Sequence, residues 1–441
     1  MKYFGTDGIR GKANVVLTPE LAYKVGRYLG FKLRLNEGDK FLIGRDPRKS
    51  GQMLEAALAS GLAASGCDVD LVGVVVTPLL SYLLDQGDYV GGVMITASHN
   101  PYYDNGLKVM NNQGLKIDPF LQDEIEEYLQ GKIEIPYMIN GAIGNICSRP
   151  DLINIYKDLL KNSFKEDLSN YKVAIDAANG SASFLVSIFN DFNVSTTVIN
   201  NNPNGTNIND KCGSTHPEVL QAFMKGKDFD LGITFDGDGD RLMLIDENNN
   251  IVDGDGILYA IACFYQDHKK LTTDTIVVTV MSNLGLHKAL NKRGIKTFVT
   301  DVGDKNVFDR MIADDHLIGG EQSGHIILKE FSNMGDGILV ALEILNIMAS
   351  GKKTMSELSK GLSIYPQILE NIKVKDVSEI LKDRDVEDVI NKVTVDLNDE
   401  GRVLVRASGT EPLIRVMVEA STYEKTKTSV DEIMAVIKSK I

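Results

Sequence analysis

At 441 residues the chain is long enough for roughly three domains, and its 43% hydrophobic and 24% charged content is that of an ordinary globular protein. A formal net charge of −14 excludes nucleic acid as a general partner, because a phosphate backbone demands a basic face; a local cluster of Arg and Lys can still hold a phosphorylated small molecule. No apolar run approaches the roughly 20 residues of a membrane span. The opening MKYFGTDGIRG lacks the apolar core of a signal peptide, and Cys67, Cys147, Cys212 and Cys263 lie far apart. Neither a zinc site nor a disulfide framework is expected, and a reducing cytoplasm is the expected setting.

GTDGIRG, residues 5–11, places Arg10 in a glycine-flanked loop. On its own such an arginine reads as a solvated charge before it reads as a ligand. A helix is predicted from Thr18-Pro19-Glu20, with Thr18 as N-cap and Pro19 in the first helical position. Phe41 to Gly44 reads as a strand that runs through Arg45-Asp46-Pro47-Arg48-Lys49-Ser50-Gly51 into the helical stretch MLEAALASGLAASG, and Val69 to Val76 is another strand. Then comes GGVMITASHNPYYDNGLKVM, residues 91–110. Val93, Met94 and Ile95 form an apolar strand that Thr96 to Pro101 cannot continue, and a second short strand follows. Pro101 biases Asn100 away from the α region, so Ser98 is expected on a stiff turn beside His99, with Asp104, Asn105 and Lys108 behind it. Alone, this is either a surface turn or a nucleophile loop.

The pattern of strand, polar loop and helix returns at residues 171–183 and 274–290, the starts of a second and a third α/β unit. Strands alternating with helices predict parallel pairing. The weakly patterned stretch from Gly131 to Pro150 is the expected first boundary, and Asn248 to Gly256 holds the second. After about Tyr365 the character changes. Residues 401–420 alternate like antiparallel strands about a loop, and Ser429 to Lys440 reads as an amphipathic terminal helix. The expected domains are 1–150, 151–252 and 253–365, all α/β, and a small α+β domain at 366–441.

Three more stretches carry chemistry. LGITFDGDGDRLMLID, residues 231–246, delivers Asp236, Asp238 and Asp240 at spacing two. Crowded carboxylates repel unless a cation neutralises them, and an all-oxygen set suits Mg²⁺. A calcium EF-hand would put Glu247 at its twelfth position, but the sixth is Arg241 instead of glycine and the flanks read as strands. A solvated acidic turn is the plainer alternative. In IGGEQSGHII, Glu321, Gln322, Ser323 and His325 suit hydrogen bonding to the hydroxyls of a sugar, or form a plain polar turn. Arg406-Ala407-Ser408-Gly409-Thr410-Glu411-Pro412, with Arg415 beyond it, makes an anion cradle, or else its arginines decorate an exposed sheet face. Each loop is ambiguous alone. Together, one per expected domain, they describe phosphoryl transfer between a serine and a phosphorylated sugar.

TASHNP, DGDGDR, GEQSGH and RASGTEP stand in the order found in the α-D-phosphohexomutases, and the sequence resembles that family over essentially its whole length. Within it, GTDGIRG, GEQSGH and RASGTEPLIRVMVE are most similar to the bacterial members that act on glucosamine phosphates. The resemblance implies three similar mixed-sheet α/β domains and a smaller C-terminal α+β domain around a central cleft. It implies interconversion of glucosamine 6-phosphate and glucosamine 1-phosphate on the route to UDP-N-acetylglucosamine, through phosphate carried on Ser98 and a bisphosphorylated sugar. One Mg²⁺ would be held by Ser98 (or its phosphate), Asp236, Asp238 and Asp240, and a sugar bisphosphate would act as activator. Lys108, His99 and Arg10 are the catalytic candidates beside Ser98, with Lys108 and His99 favoured for moving the proton. Arg241 would steady the phosphate, Glu321, Ser323 and His325 would read the sugar, and Arg406, Ser408, Gly409, Thr410 and Arg415 would hold the phosphate that is not reacting. The expected partner is a phosphorylated hexosamine, with no nucleic acid or membrane; a homodimer stays open. Lys305 stands where relatives commonly have Arg, which keeps the charge but loses the bidentate fork. Rival readings are the same chemistry on mannose or glucose phosphates, a non-catalytic phosphosugar binder, and a metal-dependent phosphomonoesterase.

Overall fold

The apolar runs at residues 41–44, 69–76 and 93–95 give strands as expected. In the computed structural model, which describes residues 3–5, 8–407 and 413–441, the first sheet has seven strands: β1 (Phe4–Gly5), β2 (Gly8–Lys12), β3 (Lys40–Arg45), β4 (Asp68–Val74), β5 (Tyr89–Ile95), β6 (Asp104–Asn111) and β7 (Ile146–Ser148), in the order β1-β2-β6-β5-β3-β4-β7. Pairing is parallel in its β5-β3-β4-β7 half. It is antiparallel where β5 turns back through β6 and where β6 meets β2. The sheet is therefore mixed, not uniformly parallel as alternation with helices suggested, because the short loop after Ile95 leaves no room for a crossover helix. The weakly patterned boundary stretch from Gly131 to Pro150 supplies β7, an exposed three-residue edge strand. Arg10 lies on β2, paired with Gly106 of β6, and not in a free loop. Ladder pairing on β6 overrides the glycine signal there.

Helix α1 (Pro19–Leu33) starts as expected, the Thr18 hydroxyl accepting from Leu21 N. It crosses α2 (Gly51–Ala64) at close quarters: a Cβ on Gly26 would lie 2.2 Å from the Leu58 carbonyl oxygen, and one on Gly61 2.2 Å from that of Tyr23. Leu21, Val25, Leu29, Leu54, Leu58 and Leu62 of these helices share one buried core with Phe41, Ile43 and Val93 of the sheet. Helix α3 (Thr77–Gln86) covers the sheet with Leu79, Leu80, Leu83 and Leu84 buried.

The second sheet has β8 (Lys172–Asp176), β9 (Ser195–Ile199), β10 (Leu231–Phe235), β11 (Leu242–Ile245) and β12 (Ile251–Val252), ordered β12-β11-β10-β8-β9. β10 and β11 form an antiparallel hairpin, so the aspartate triplet occupies a hairpin turn; the helical flanks of an EF-hand are absent. The third sheet has β13 (Thr275–Thr279), β14 (Lys296–Thr300), β15 (Ile318–Gly320) and β16 (Ile326–Leu328), ordered β14-β13-β15-β16. The fourth is antiparallel, with β17 (Gln367–Lys373), β18 (Gly401–Ala407) and β19 (Leu413–Ala420) in the order β17-β19-β18. It packs against helices Arg384–Leu397 and Tyr423–Ser439 through Val386, Val393, Ile414, Val416, Val430 and Ile433. The fold is thus three mixed-sheet α/β domains with a smaller C-terminal domain. By internal packing the chain forms two units, Met1–Val280 with Phe298–Ser359, and Met281–Thr297 with Lys360–Ile441.

Candidate active site

β5 delivers Ser98 to its position, and the backbone there is unusual. Ser98 adopts φ 51°, a left-handed conformation that costs a residue with a Cβ roughly 1–2 kcal/mol. The loop is held from several sides. Ser98 N donates to Thr96 Oγ1 at 2.9 Å, and Thr96 Oγ1 donates to the buried Asp46 carboxylate at 2.6 Å. The Ser98 hydroxyl donates to Asp236 Oδ2 at 2.7 Å, so it meets the triplet directly.

Asp236, Asp238 and Asp240 are all buried, and each offers a carboxylate oxygen within 4.8 Å of the others'. Burial pushes the Asp236 carboxyl well above the usual range, and the neighbouring charges of Asp240 and Asp238 push it further. Burial also works against ionisation of Asp240, but Lys108 and the other positive charges around it win and hold its carboxyl well down. The Lys108 ammonium donates to Asp238 Oδ2 at 2.7 Å and to Asp240 Oδ2 at 3.1 Å. Thr77 Oγ1, at the start of α3, donates to Asp238 Oδ2 at 2.5 Å. Even so, Asp238 Oδ1 and Asp240 Oδ1 find no hydrogen-bond partner among the described residues. A buried hard-oxygen set with orphaned carboxylate oxygens fits a divalent cation such as Mg²⁺.

Arg241 follows the triplet, and burial against its charge is outweighed by Asp240, Asp236 and Glu321, which hold the guanidinium firmly protonated. Its Nη1 lies 3.4 Å from His99 Nδ1, and the Ser98 hydroxyl is also 3.4 Å from that nitrogen. Guanidinium only donates, so this contact requires an unprotonated Nδ1. Burial, then the charges of Arg241 and Arg10, push His99 down to about 4. The imidazole is neutral at neutral pH.

The sugar-loop candidates sit between β15 and β16. Glu321 Oε1 accepts from Gly303 N at 3.0 Å, and the Ser323 hydroxyl lies 3.4 Å from Glu321 Oε2. Gly324 has φ 90°, and a Cβ there would lie 1.9 Å from the Leu242 carbonyl oxygen, so the loop closes onto β11 only with glycine. His325 is 2% exposed, and neither ring nitrogen has a hydrogen-bond partner among the described residues. Ser98, His99, Lys108, Arg10, Asp236, Asp238, Asp240, Arg241, Glu321, Ser323 and His325 all belong to the first unit.

In the second unit Arg406 and Arg415 face each other in the β18–β19 ladder. Like charges directly opposite destabilise a sheet unless an anion joins them. Ser408, Gly409 and Thr410 lie outside the described residues. Lys305 is on the surface, 3.1 Å from Asp309 one turn on.

Sequence reasoning missed Arg48, Thr77, Thr96 and Asn209, which touch the Ser98 loop or the triplet. Arg48 and Thr77 had a local signal, a polar residue between a strand and a helix start, and Thr96 opens the TASHNP motif; Asn209 had none.

Domain profiles of the phosphoglucomutase/phosphomannomutase group match residues 1–135, 154–250, 253–365 and 369–436, as domains I, II, III and the C-terminal domain. A phosphoglucosamine mutase of Lachnospira eligens is 46% identical over 100% of this chain and 99% of its own length. One from Bacillus subtilis is 45% identical, again over 100% of this chain and 99% of its own length. Among solved structures, a phosphoglucomutase/phosphomannomutase family protein from Burkholderia thailandensis shares the fold with a TM-score of 0.82 at 24% identity, covering 99% of this chain and 97% of that one. An N-acetylphosphoglucosamine mutase from Aspergillus fumigatus shares it with a TM-score of 0.72 at 17% identity, over 100% and 96%.

Proposed function

The chain belongs to the phosphoglucomutase/phosphomannomutase family, the α-D-phosphohexomutases, and from that premise we propose that it interconverts glucosamine 6-phosphate and glucosamine 1-phosphate as an intramolecular phosphotransferase. Its full-length likeness to phosphoglucosamine mutases supports that substrate over mannose or glucose phosphates. The observation that carries the chemistry is the Ser98 hydroxyl, set on a left-handed turn and 2.7 Å from a buried carboxylate triplet with orphaned oxygens.

Phosphate on Ser98 is the donor. The P–O bond to Ser98 Oγ breaks as the sugar hydroxyl oxygen bonds to phosphorus, giving a bisphosphorylated sugar. The hydroxyl's proton passes to Lys108, which takes it up only as the neutral amine, working with His99, and then to the departing Ser98 oxygen. The sugar's other phosphate later returns to Ser98 by the same steps in reverse. Asp236, Asp238 and Asp240, with Ser98 or its phosphate, would hold Mg²⁺, which when bound neutralises charge growing on the transferring oxygens. Arg241 steadies that phosphate. Glu321, Ser323 and His325 read the sugar, and Arg406 and Arg415, with Ser408, Gly409 and Thr410, grip the phosphate at rest. The expected domains at 1–150, 151–252, 253–365 and 366–441 each carry one of these groups. A sugar bisphosphate would charge unphosphorylated enzyme.

Purified protein with Mg²⁺ and a trace of sugar bisphosphate is expected to convert glucosamine 6-phosphate, with Ser98→Ala inactive and intact mass showing one phosphate on wild-type protein only. Faster conversion of mannose or glucose phosphates overturns the substrate assignment. A protein that turns over while never carrying phosphate on Ser98 overturns the mechanism.

A further inference from the structure

We infer that Arg48 and Asn209 are positioning residues that clamp the backbone of the Ser98 loop from two sides, keeping the serine oxygen in one place through its phosphorylated and free states. The inference rests on the phosphoserine reading above.

Arg48 is a fully buried arginine whose hydrogen bonds go to its own loop and to the nucleophile loop. Its Nε donates to Asp46 Oδ2 at 2.8 Å. Nη2 donates to the Ser98 and Asn100 carbonyls, both at 2.8 Å, and Nη1 donates to the carbonyls of Pro101 and, at 3.2 Å, Asp104. One planar fork thus gathers three carbonyls of the loop and that of Asp104, the first residue of β6. From the other side, Asn209 Nδ2 donates to the Ser98 carbonyl at 2.8 Å and to that of Asn100 at 3.2 Å. Asn209 is itself anchored, its N–H donating to the Ala178 carbonyl at 2.9 Å. The segment before it is tied to the Arg48 loop, Lys49 N donating to the Gly205 carbonyl at 2.8 Å. The Ser98 and Asn100 carbonyls are therefore each capped twice, once from the first sheet's domain and once from the second's.

Neither side chain touches Ser98 Oγ, so neither is a catalytic residue. Their work is mechanical. Ser98 alternates between a neutral hydroxyl and a phosphoester of about −1.5 to −2 charge beside acidic groups. A left-handed serine would relax under that changing load unless its carbonyl were fixed. A shift of about 1 Å at the reacting atom costs on the order of 100-fold in rate.

The test uses full-length phosphorylated enzyme, as wild type, Asn209→Ala and Arg48→Lys. Rapid quench measures the single-turnover transfer of phosphate from protein to glucosamine 6-phosphate, and steady state gives KM. Asn209→Ala is expected to slow transfer by about 10-fold or more while KM stays within about 2-fold, because a displaced donor loses transition-state geometry but not substrate binding. Arg48→Lys, which keeps the charge for Asp46 and loses the fork, is expected to lose more. Transfer from Asn209→Ala at the wild-type rate overturns the inference, whether or not Arg48→Lys folds. So does a parallel loss in transfer and melting temperature with KM raised, the pattern of mere unfolding. Wild-type enzyme that carries phosphate but passes none to the sugar sinks the underlying reaction instead.

Discussion

The loop that carries Ser98 and the groups that face it differ in how their polar atoms are satisfied. On the loop, the carbonyls of Ser98, Asn100, Pro101 and Asp104 all accept from Arg48, two of them from Asn209 as well. Facing it, Asp238 Oδ1, Asp240 Oδ1 and both ring nitrogens of His325 are buried without hydrogen-bond partners among the described residues. An unsatisfied buried polar atom costs about 1–3 kcal/mol, so a fold tolerates several at one place only where something else repays the cost. On the proposed function the nucleophile must not move, and its loop is over-determined. The groups that would receive cation and sugar must be free to bind, and their valences are kept open.

If that contrast is right, the largest stability effect belongs to the satisfied side. Arg48→Met keeps bulk but leaves the buried Asp46 carboxylate without its charge partner and takes the fork from four carbonyls, of which those of Ser98 and Asn100 keep Asn209. It is expected to destabilise by about 3–5 kcal/mol, read as a lower urea midpoint with unchanged slope. A loss under about 1 kcal/mol would show that the loop stands without its clamp.

An open valence on a residue that the proposed chemistry does not use should behave as plain cost, and Glu343 offers the control. It is buried on helix Gly337–Gly351, with no hydrogen bond drawn to Oε1 among the described residues and Oε2 accepting from Asn346 at 3.3 Å. Burial pushes its carboxyl from 4.5 up to about 7. Between those values the folded chain keeps a proton that the unfolded chain has released, so stability falls as pH rises through that window and stays low above it. Glu343→Gln is expected to melt with the wild type near pH 4 and to be more stable at pH 8, by on the order of 3 kcal/mol. Equal melting temperatures at both pH values would mean the carboxyl is better solvated than its surroundings suggest.

Much of the open side was legible in the sequence, and little of the tied side. The aspartate triplet, Glu321, His325, Arg406 and Arg415, and on the tied side Ser98 alone, announce themselves because residue types and glycines cluster within a few positions. Asn209 is 111 residues from Ser98 in the chain, and nothing near it signals a contact that exists only once two sheets are packed. Arg48 was visible as one polar residue in a loop, but its burial was not. Arg10 was assigned to a loop because glycines flank it, whereas pairing with β6 placed it on a strand. The proton carrier stayed open for a related reason. Lys108 can be picked from the motif, but its direct ion pairs with Asp238 and Asp240 come from the β5–β6 hairpin packing against the β10–β11 turn.

The smallest effect is the most discriminating, because its sign decides the matter. Histidine buried without partners is an ordinary defect if it serves only packing, and evolution has cheap remedies for that: an apolar side chain of similar volume. His325→Leu removes one donor and one acceptor that make no hydrogen bond among the described residues. It is expected to raise stability by about 1 kcal/mol, a shift of a few degrees in melting temperature. At the same time it should raise KM for the sugar phosphate, since the ring's open valences are then spent on substrate hydroxyls. A destabilised variant would show that the imidazole is satisfied within the protein. A stabilised variant with unchanged KM would return His325 to the core and leave Glu321 and Ser323 to read the sugar alone.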